Sequence, residues 1–254
     1  MGRKIIAAAL ALLLAFSLAS CGPDEPLPVI ALPEADFTVT SAEDRFTDYY
    51  NDVLLLYPVI SGYADGKAEA AVNEQLRDRV LSEYTAAALA SDEEVSYTYQ
   101  ITEIRVMLMT EGFCSLVVIG QYVGTDASHV EYVSYTINAD LVGGRLLSTH
   151  DLLEDETTLR KLFLDGKFSF AYGSAELLGE ETFSDMLLPY RAEYGISPDI
   201  FFTEGHIGIH VELPHVLGGY AGFTLNILSA GDVLRPGRVG TLLTTDVSAQ
   251  ETKQ

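Results

Sequence analysis

Apolar residues recur with a helical period in residues 67–89. They return every four residues, which places them on one face of an α-helix, and the recurring positions are Ala68, Val72, Leu76, Val80 and Tyr84. The dipeptide Asp65-Gly66 supplies a turn before this segment. The sequence therefore predicts one long helix that buries a single stripe of side chains.

Alternating apolar and polar residues predict several strands around this helix. Residues 95–109 alternate but change phase near Thr102, which is typical of a β-bulge. Residues 113–123 are the most apolar of these segments, and we predict that they lie in the middle of a sheet. The other predicted strands cover residues 54–62, 129–138 and 222–228. Short connections on both sides of residues 113–123 favour antiparallel neighbours.

The second half of the chain combines helical and strand patterns. The run Ser148-Thr149-His150-Asp151 is typical of a helix start. Helical spacing follows in residues 157–171 and 180–193. Because antiparallel strands in runs are interrupted by helices, we predict an α+β fold. We expect a single domain with a mainly antiparallel sheet and helices packed on it.

A hairpin is predicted near the end of this half. Its strands are residues 200–203 and 206–213, and the turn between them is Glu204-Gly205. One side of the second strand is apolar. The other side is predicted to face water, and its members are His206, His210 and Glu212.

The N-terminus has the pattern of a secretory leader. Arg3 and Lys4 precede an unbroken apolar run over residues 5–16, and small residues stand directly before Cys21. The apolar run is shorter than the ~20 residues that span a bilayer, which favours a cleaved leader over a membrane helix. The segment Leu18-Ala19-Ser20-Cys21 looks like the lipobox of bacterial lipoproteins, in which the cysteine is lipidated. The alternative is an ordinary signal peptide with a coincidental cysteine.

Changes of composition divide the chain into four segments. These are a lipoprotein signal peptide (1–20), a lipidated, proline-rich tether (21–45), the folded domain (46–235) and a polar C-terminal tail (236–254). Lipidation of Cys21 would place the protein on the exterior face of the bacterial cell membrane. Cys114 lies in a strand-like apolar run and is predicted to be a buried, unreactive thiol.

The chain is strongly acidic. It has 37 acidic and 15 basic residues, which gives a net charge of −22. Such a surface repels the phosphates of DNA and RNA, so nucleic acids are excluded as partners. A hydrophobic content of 48% also excludes a disordered chain. The acidity favours a cationic partner.

The sequence contains none of the common catalytic motifs. There is no G-x-S-x-G, no H-E-x-x-H and no EF-hand spacing. His206 and His210 lie four residues apart on a predicted strand, which separates them by roughly 13 Å, too far to share a zinc ion. We therefore name no catalytic residue, cofactor or metal ligand, and favour a protein without catalysis of its own. Two alternatives stay open: a cell-wall-modifying hydrolase or deacetylase accessory, and a structural lipoprotein of the envelope.

Several short segments resemble a known extracytoplasmic domain. Tyr57-Pro58-Val59-Ile60-Ser61-Gly62, with Asn73 in the helix that follows, is similar to the "YPxIxG … xN" opening of that domain. Residues 138–147 and the segment Gly218-Gly219-Tyr220-Ala221-Gly222 resemble later segments in the same order. The family is the domain shared by the RsiV anti-sigma factor and the PdaC peptidoglycan deacetylase. One turn departs from the family pattern, because residues 124–129 keep one glycine and the histidine of its G-G-A-H turn.

The resemblance implies the sensor-like module of this family by itself, without the anti-sigma segment or the deacetylase domain. In RsiV this module binds lysozyme. The resemblance therefore implies a lipid-anchored extracytoplasmic binding module for a cationic, cell-wall-active protein such as lysozyme.

Tyrosine is the candidate anchor for such a partner. The chain has 14 Tyr and no Trp, and a tyrosine at the margin of a sheet offers contact area together with a hydroxyl group. The alternative is that these tyrosines only fill strand positions. The predicted binding residues are Tyr122, His129, Tyr132 and Tyr220.

Overall fold

The computed structural model describes residues 32–48, 51–90, 96–124, 130–173, 198–213 and 218–244. Within these residues it contains ten strands, four α-helices and one 3₁₀ turn. Several sequence predictions lie outside the described residues: the leader at 1–20, the lipidated Cys21, His129, the helix at 180–193, and the tether and tail over residues 22–31 and 245–254.

The first sheet has six strands in the order of the chain. They are β1 (Thr38–Asp48), β2 (Asn51–Ser61), β3 (Tyr97–Thr110), β4 (Phe113–Gly124), β5 (Glu131–Asp140) and β6 (Arg145–Leu147). Neighbours are antiparallel except β2 and β3. Those two strands are parallel because helix α1 (Gly66–Ala90) carries the chain back between them. The interior position predicted for β4 is confirmed.

Strand β1 begins inside the segment that was predicted to be a tether. It pairs with β2 along its whole length, from Thr38 opposite Ser61 to Asp48 opposite Asn51. The predicted tether boundary at residue 45 is therefore wrong. The strand was missed because an edge strand of an antiparallel sheet can be largely polar when its partner supplies the apolar side chains.

The predicted phase change in β3 is confirmed as a bulge. The register with β4 shifts between Ile101 and Glu103. Gly120 stands opposite Ile101, and a Cβ atom at Gly120 would lie 2.4 Å from the carbonyl oxygen of Gln100. Only glycine allows this close approach of two backbones.

Helix α1 packs on one face of the first sheet, as its pattern predicts. Its buried residues are Val72, Leu76, Val80 and Tyr84. The carboxylate of Asp65 accepts hydrogen bonds from the N–H groups of Lys67 and Ala68, which satisfies donors of the first turn. Asn73 joins the helix to β2, because its side chain accepts from Ile60 N at 2.7 Å and donates to Ile60 O at 2.8 Å.

The second sheet has four antiparallel strands in the order β7-β10-β9-β8. They are β7 (Ser169–Gly173), β8 (Asp199–Thr203), β9 (His206–Glu212) and β10 (Tyr220–Asn226). Strands β8 and β9 form the predicted hairpin. The helix predicted over residues 157–171 is shorter, because Gly166 has a φ of 68° shortly after Leu164 and the chain continues into β7.

Three short helices pack against the second sheet. They are α2 (Thr149–Leu152), α3 (Glu156–Leu164) and α4 (Arg238–Thr244). Helix α2 begins at the predicted place, with a capping box between Ser148 and Asp151. The polar tail predicted from residue 236 is wrong over α4, because Val239 and Leu243 are buried one helical turn apart in the core.

The elements form layers in the order α1, first sheet, second sheet, short helices. Rows of buried apolar residues lie on both sides of the first sheet. The α+β single-domain architecture is therefore confirmed. Among the described helices, none is both long enough and apolar enough to pass through a membrane.

Candidate functional site

The second sheet meets the first sheet through a row of rings. Tyr172, Phe201, His210 and Tyr220 each come from a different strand of the second sheet. The ring of Tyr172 contacts the other three rings, and the rings of His210 and Tyr220 also contact each other, with centroids 5.4–6.5 Å apart. Residues at alternate positions, such as Ile209, point to the opposite face and join the core beneath the short helices.

Two glycines in the strands leave space for two of these rings. A Cβ atom at Gly208 would lie 2.2 Å from the ring of Phe201, and one at Gly222 would lie 2.2 Å from the ring of Tyr172. The rings therefore lie directly on the backbone of neighbouring strands, and any larger residue at either glycine would displace them.

His210 is the most enclosed polar group in this row. It is 1% exposed, with Nδ1 2.9 Å from the Tyr172 hydroxyl and Nε2 2.9 Å from the Ser134 hydroxyl. Burial, with repulsion from Arg105, lowers the pKa of His210 to about 4. The imidazole is therefore neutral at pH 7.

The prediction that His210 faces water is wrong. Strand β9 lies between β10 and β8, and its polar side faces the first sheet.

Arg105 extends from β3 over the same row. Its guanidinium lies 5.2 Å from the centroid of the Tyr172 ring, within the range of a cation–π interaction. An ion pair of 2.9 Å joins it to Glu103. The charge of Arg105 is thus paired, and the flat face of its guanidinium covers a ring.

Two of the predicted binding residues lie side by side at the margin of the row. The rings of Tyr132 and Tyr220 make an edge contact, with centroids 6.2 Å apart. Tyr132 is 41% exposed, and its ring rests on Gly219, where a Cβ atom would lie 2.2 Å from it. We call Tyr132 and Tyr220 together the tyrosine surface.

Tyr122 does not join this surface. It stands opposite Tyr99 in the register of β3 and β4, so it shares the face that α1 covers. Its ring packs against Tyr97 with centroids 5.1 Å apart. Tyr132 stands opposite Gln121, one position away from Tyr122, and therefore points to the other face of the sheet.

Sequence reasoning missed Tyr172, Arg105 and Ser134. Tyr172 lies just beyond residues 157–171, for which a helix was predicted. The available signal was a glycine in each of two predicted strands, Gly208 and Gly222. A glycine within a strand indicates the close approach of a ring or of a second backbone.

Polar side chains of the first sheet bind the outer edge of β8. The Ser115 hydroxyl accepts from Phe202 N at 2.9 Å, and Asn138 Nδ2 donates to Ile200 O at 2.9 Å. The carboxylate of Asp199 accepts from Thr136 N at 3.3 Å. These bonds fix the start of β8 against the edge of β5.

A cavity of about 540 Å³ opens beside this edge. Arg79, Asn138, Thr149, His150 and Asp199 are among the residues that line it. Burial raises the pKa of the Asp199 carboxyl to about 6, although the Thr136 N–H and the charge of Arg79 act in the opposite direction. We call this the Asp199 cavity.

Among the residues that the structure describes, neither place shows a recognisable catalytic arrangement. His210 has the hydroxyl groups of Tyr172 and Ser134 beside its two ring nitrogens, and Ser134 is itself buried. Across the described residues, no three His, Cys, Asp or Glu side chains are close enough to hold a metal ion. Cys114 is buried as predicted, and burial raises the pKa of its thiol to about 12.

Comparison with solved structures identifies the fold. A member of the DUF3298 family from Bacteroides fragilis matches with a TM-score of 0.56 and 14% sequence identity, over 84% of this chain and 99% of that one. The two proteins share a fold. A DUF3298 family protein from Pseudomonas aeruginosa matches with a TM-score of 0.43 and 14% identity, over 85% of this chain and 100% of the other.

No protein-family model matches this chain, and no curated protein matches it. The similarity to the DUF3298 protein from Bacteroides fragilis concerns the fold alone.

Proposed function

We propose that this chain is a binding module of the bacterial cell envelope, held at the membrane by a lipid on Cys21, that binds a cationic protein through the tyrosine surface. The observation that carries the proposal is the exposed, supported ring of Tyr132 on a protein with a net charge of −22. The resemblance to the RsiV and PdaC domain supports the same class of function.

The tyrosine surface has the properties of an interface anchor. Tyr132 is held between the backbone of Gly219 and the ring of Tyr220, so it loses little rotamer freedom when a partner covers it. Rigid aromatic side chains of this kind supply much of the affinity of protein interfaces.

Carboxylates border the tyrosine surface. Glu212 stands opposite Tyr220 in the register of β9 and β10 and is exposed. Glu103 lies on β3. Its side chain is 46% exposed, and its carboxylate forms the ion pair with Arg105. Glu103 and Arg105 offset each other, so Glu212 gives the local charge the same sign as the net charge, which attracts a basic partner at long range.

The partner that fits this chemistry is a basic protein that acts on the cell wall, with lysozyme as the example that the family resemblance supplies. Contact with the tyrosine surface would cover apolar ring area, and the carboxylate of Glu212 would bind a lysine or arginine side chain at the rim.

Binding of purified chain to immobilised lysozyme at low and physiological salt tests this function. We expect binding that weakens as salt rises, because exposed charges are screened. Tyr132→Ala should weaken it by at least about tenfold, the loss typical of an interface anchor. Phe46→Ala is the matched control, since Phe46 is also an exposed ring but packs against Tyr84 beside α1. No binding at low salt, or equal losses in both variants, contradicts the proposal.

The lipid anchor has a separate test. Cys21→Ala should move the protein from the membrane fraction to the soluble fraction and abolish incorporation of labelled fatty acid. A variant that stays in the membrane fraction contradicts anchoring through Cys21.

A further inference from the structure

The Asp199 cavity lies at a different place from the tyrosine surface. It opens where β8 begins, beside the edge of β5 and next to helix α2. Its volume of about 540 Å³ falls within the ~300–1,000 Å³ of small-molecule pockets.

Two residues in its wall have incomplete hydrogen bonding among the described residues. Asn138 is 4% exposed, and its Nδ2 donates to Ile200 O, but its Oδ1 has no hydrogen-bond partner among the described residues. Asp199 receives one donor from the described residues, the N–H of Thr136, at 3.3 Å. The Asn138 oxygen is closed off from the cavity, whereas the Asp199 carboxylate lines it with acceptor positions that a donor-bearing ligand can use.

The other charges of the cavity wall are already paired. Arg79 forms an ion pair with Glu83, and its guanidinium lies 5.1 Å from the centroid of the Tyr135 ring. Asp151 accepts from Ser148 and pairs with Arg145 at 2.9 Å. In the described part of the wall, the carboxylate of Asp199 is thus the charge without an ion-pair partner.

We propose that the Asp199 cavity binds a primary ammonium group, as carried by a lysine side chain. An ammonium group has one positive charge and three N–H donors, which match the charge and the open acceptor positions of the Asp199 carboxylate. An anion would be repelled by Asp199, and an apolar group would cover the carboxylate without supplying a donor. This site is additional to the proposed function. It deepens that function only where the ammonium group belongs to a lysine of the partner protein.

The direct test is an NMR titration of the purified full chain with Nα-acetyl-lysine N-methylamide. The expected result is saturable binding of this probe. The same compound acetylated at Nε has no charge and fewer donors, and it should not bind. Equal binding of the two compounds, or none by the charged one, overturns the proposal.

Asp199→Asn removes the charge and keeps both the shape and an oxygen for Thr136 N–H. We expect it to weaken binding of the charged probe by at least about tenfold, as for loss of a hydrogen bond to a charged group. Asp232→Asn makes the same chemical change at an exposed position outside this cavity and should leave binding unchanged. Equal affinity of wild type and Asp199→Asn overturns the proposal.

A second variant keeps the test independent of the folding of Asp199→Asn. His150 lines the cavity but is exposed, so His150→Glu adds a negative charge at the mouth without disturbing the core. We expect it to strengthen binding of the charged probe, and weaker or unchanged binding counts against the site.

Competition decides the source of the ammonium group. A partner's lysine is the source if the probe displaces lysozyme, and a free amine is the source if the probe binds without displacing it. Because the small probe does not need the tyrosine surface, this site and the proposed function can fail separately.

Discussion

The two faces of the first sheet are built by different physical means. On the face toward α1, side chains such as Leu76, Leu116 and Ile137 pack by apolar contact. On the face toward the second sheet, hydrogen bonds from Ser115, Ser134 and Asn138 accompany the apolar contacts. Ser115 and Leu116 are adjacent in the chain and show the difference directly.

On the face toward α1, even two hydroxyl groups are surrounded by apolar contacts. The hydroxyl oxygens of Tyr99 and Tyr135 are buried without a hydrogen-bond partner among the described residues, and burial raises the pKa of both. Apolar contact has no preferred direction, so that face supplies stability. Hydrogen bonds have direction, so the opposite face fixes positions, and the tyrosine surface lies on it.

The largest expected effect of a single change is on the face toward α1. Leu116→Ala removes a fully buried side chain and should lower the free energy of unfolding by about 3–4 kcal/mol, because a cavity remains. Val106 stands opposite Leu116 in the register but is exposed, so Val106→Ala should cost less than about 1 kcal/mol. Urea denaturation measures both, and similar losses would contradict the assignment of Leu116 to a tightly packed core.

On the other face, adding one carbon should be nearly as harmful as removing several. Gly208→Ala would place Cβ 2.2 Å from the ring of Phe201, which is fully buried. We expect a loss of about 2–3 kcal/mol from overpacking. Gly66→Ala has open space around it at the start of α1 and should be neutral or slightly stabilising. A Gly208→Ala protein as stable as the wild type would show that the rings can move.

The smallest expected effect depends on pH. His210 has a folded pKa of about 4, below its ordinary 6.5, so only the unfolded chain binds its proton between these values and stability falls on acidification. Asp199 has a folded pKa of about 6, above its ordinary 3.8, so the folded chain holds the extra proton and stability rises on acidification. The two residues stand opposite each other in the hairpin, and their effects oppose.

Asp199→Asn removes one of these opposing effects. Between pH 7 and pH 4.5 the variant should lose about 2 kcal/mol more stability than the wild type, as measured by urea denaturation at each pH. Asp232→Asn should follow the wild type. Parallel pH profiles of Asp199→Asn and wild type would show that Asp199 is not protonated in the folded protein.

The elements that the sequence predicted are those with a long or self-contained pattern. Helix α1 repeats its stripe over several turns, the bulge in β3 shows as a phase change, and the start of α2 shows as a capping box. Each of these signals lies within one short stretch of chain. Helix α4 has only Val239 and Leu243 as its buried residues, which is too few to define a period.

The candidate site could not be predicted because it depends on which sheet covers which face. Alternation in β9 shows that His210 and Ile209 point to opposite sides, but it cannot tell whether the polar side meets water or a second sheet. Likewise, Tyr122 and Tyr132 both lie in strands, and only the register between β4 and β5 shows that they point apart. The Asp199 cavity brings together residues from α1, β5, α2 and β8, which no local pattern records.

The contacts at the outer edge of β8 also limit how this protein can associate with itself. An exposed strand edge offers its N–H and C=O groups to another molecule, which is one way in which fibres begin to grow. Ser115 and Asn138 occupy the N–H of Phe202 and the C=O of Ile200. A neighbouring copy therefore finds these groups already bound, and the second sheet cannot be extended through them into an aggregate.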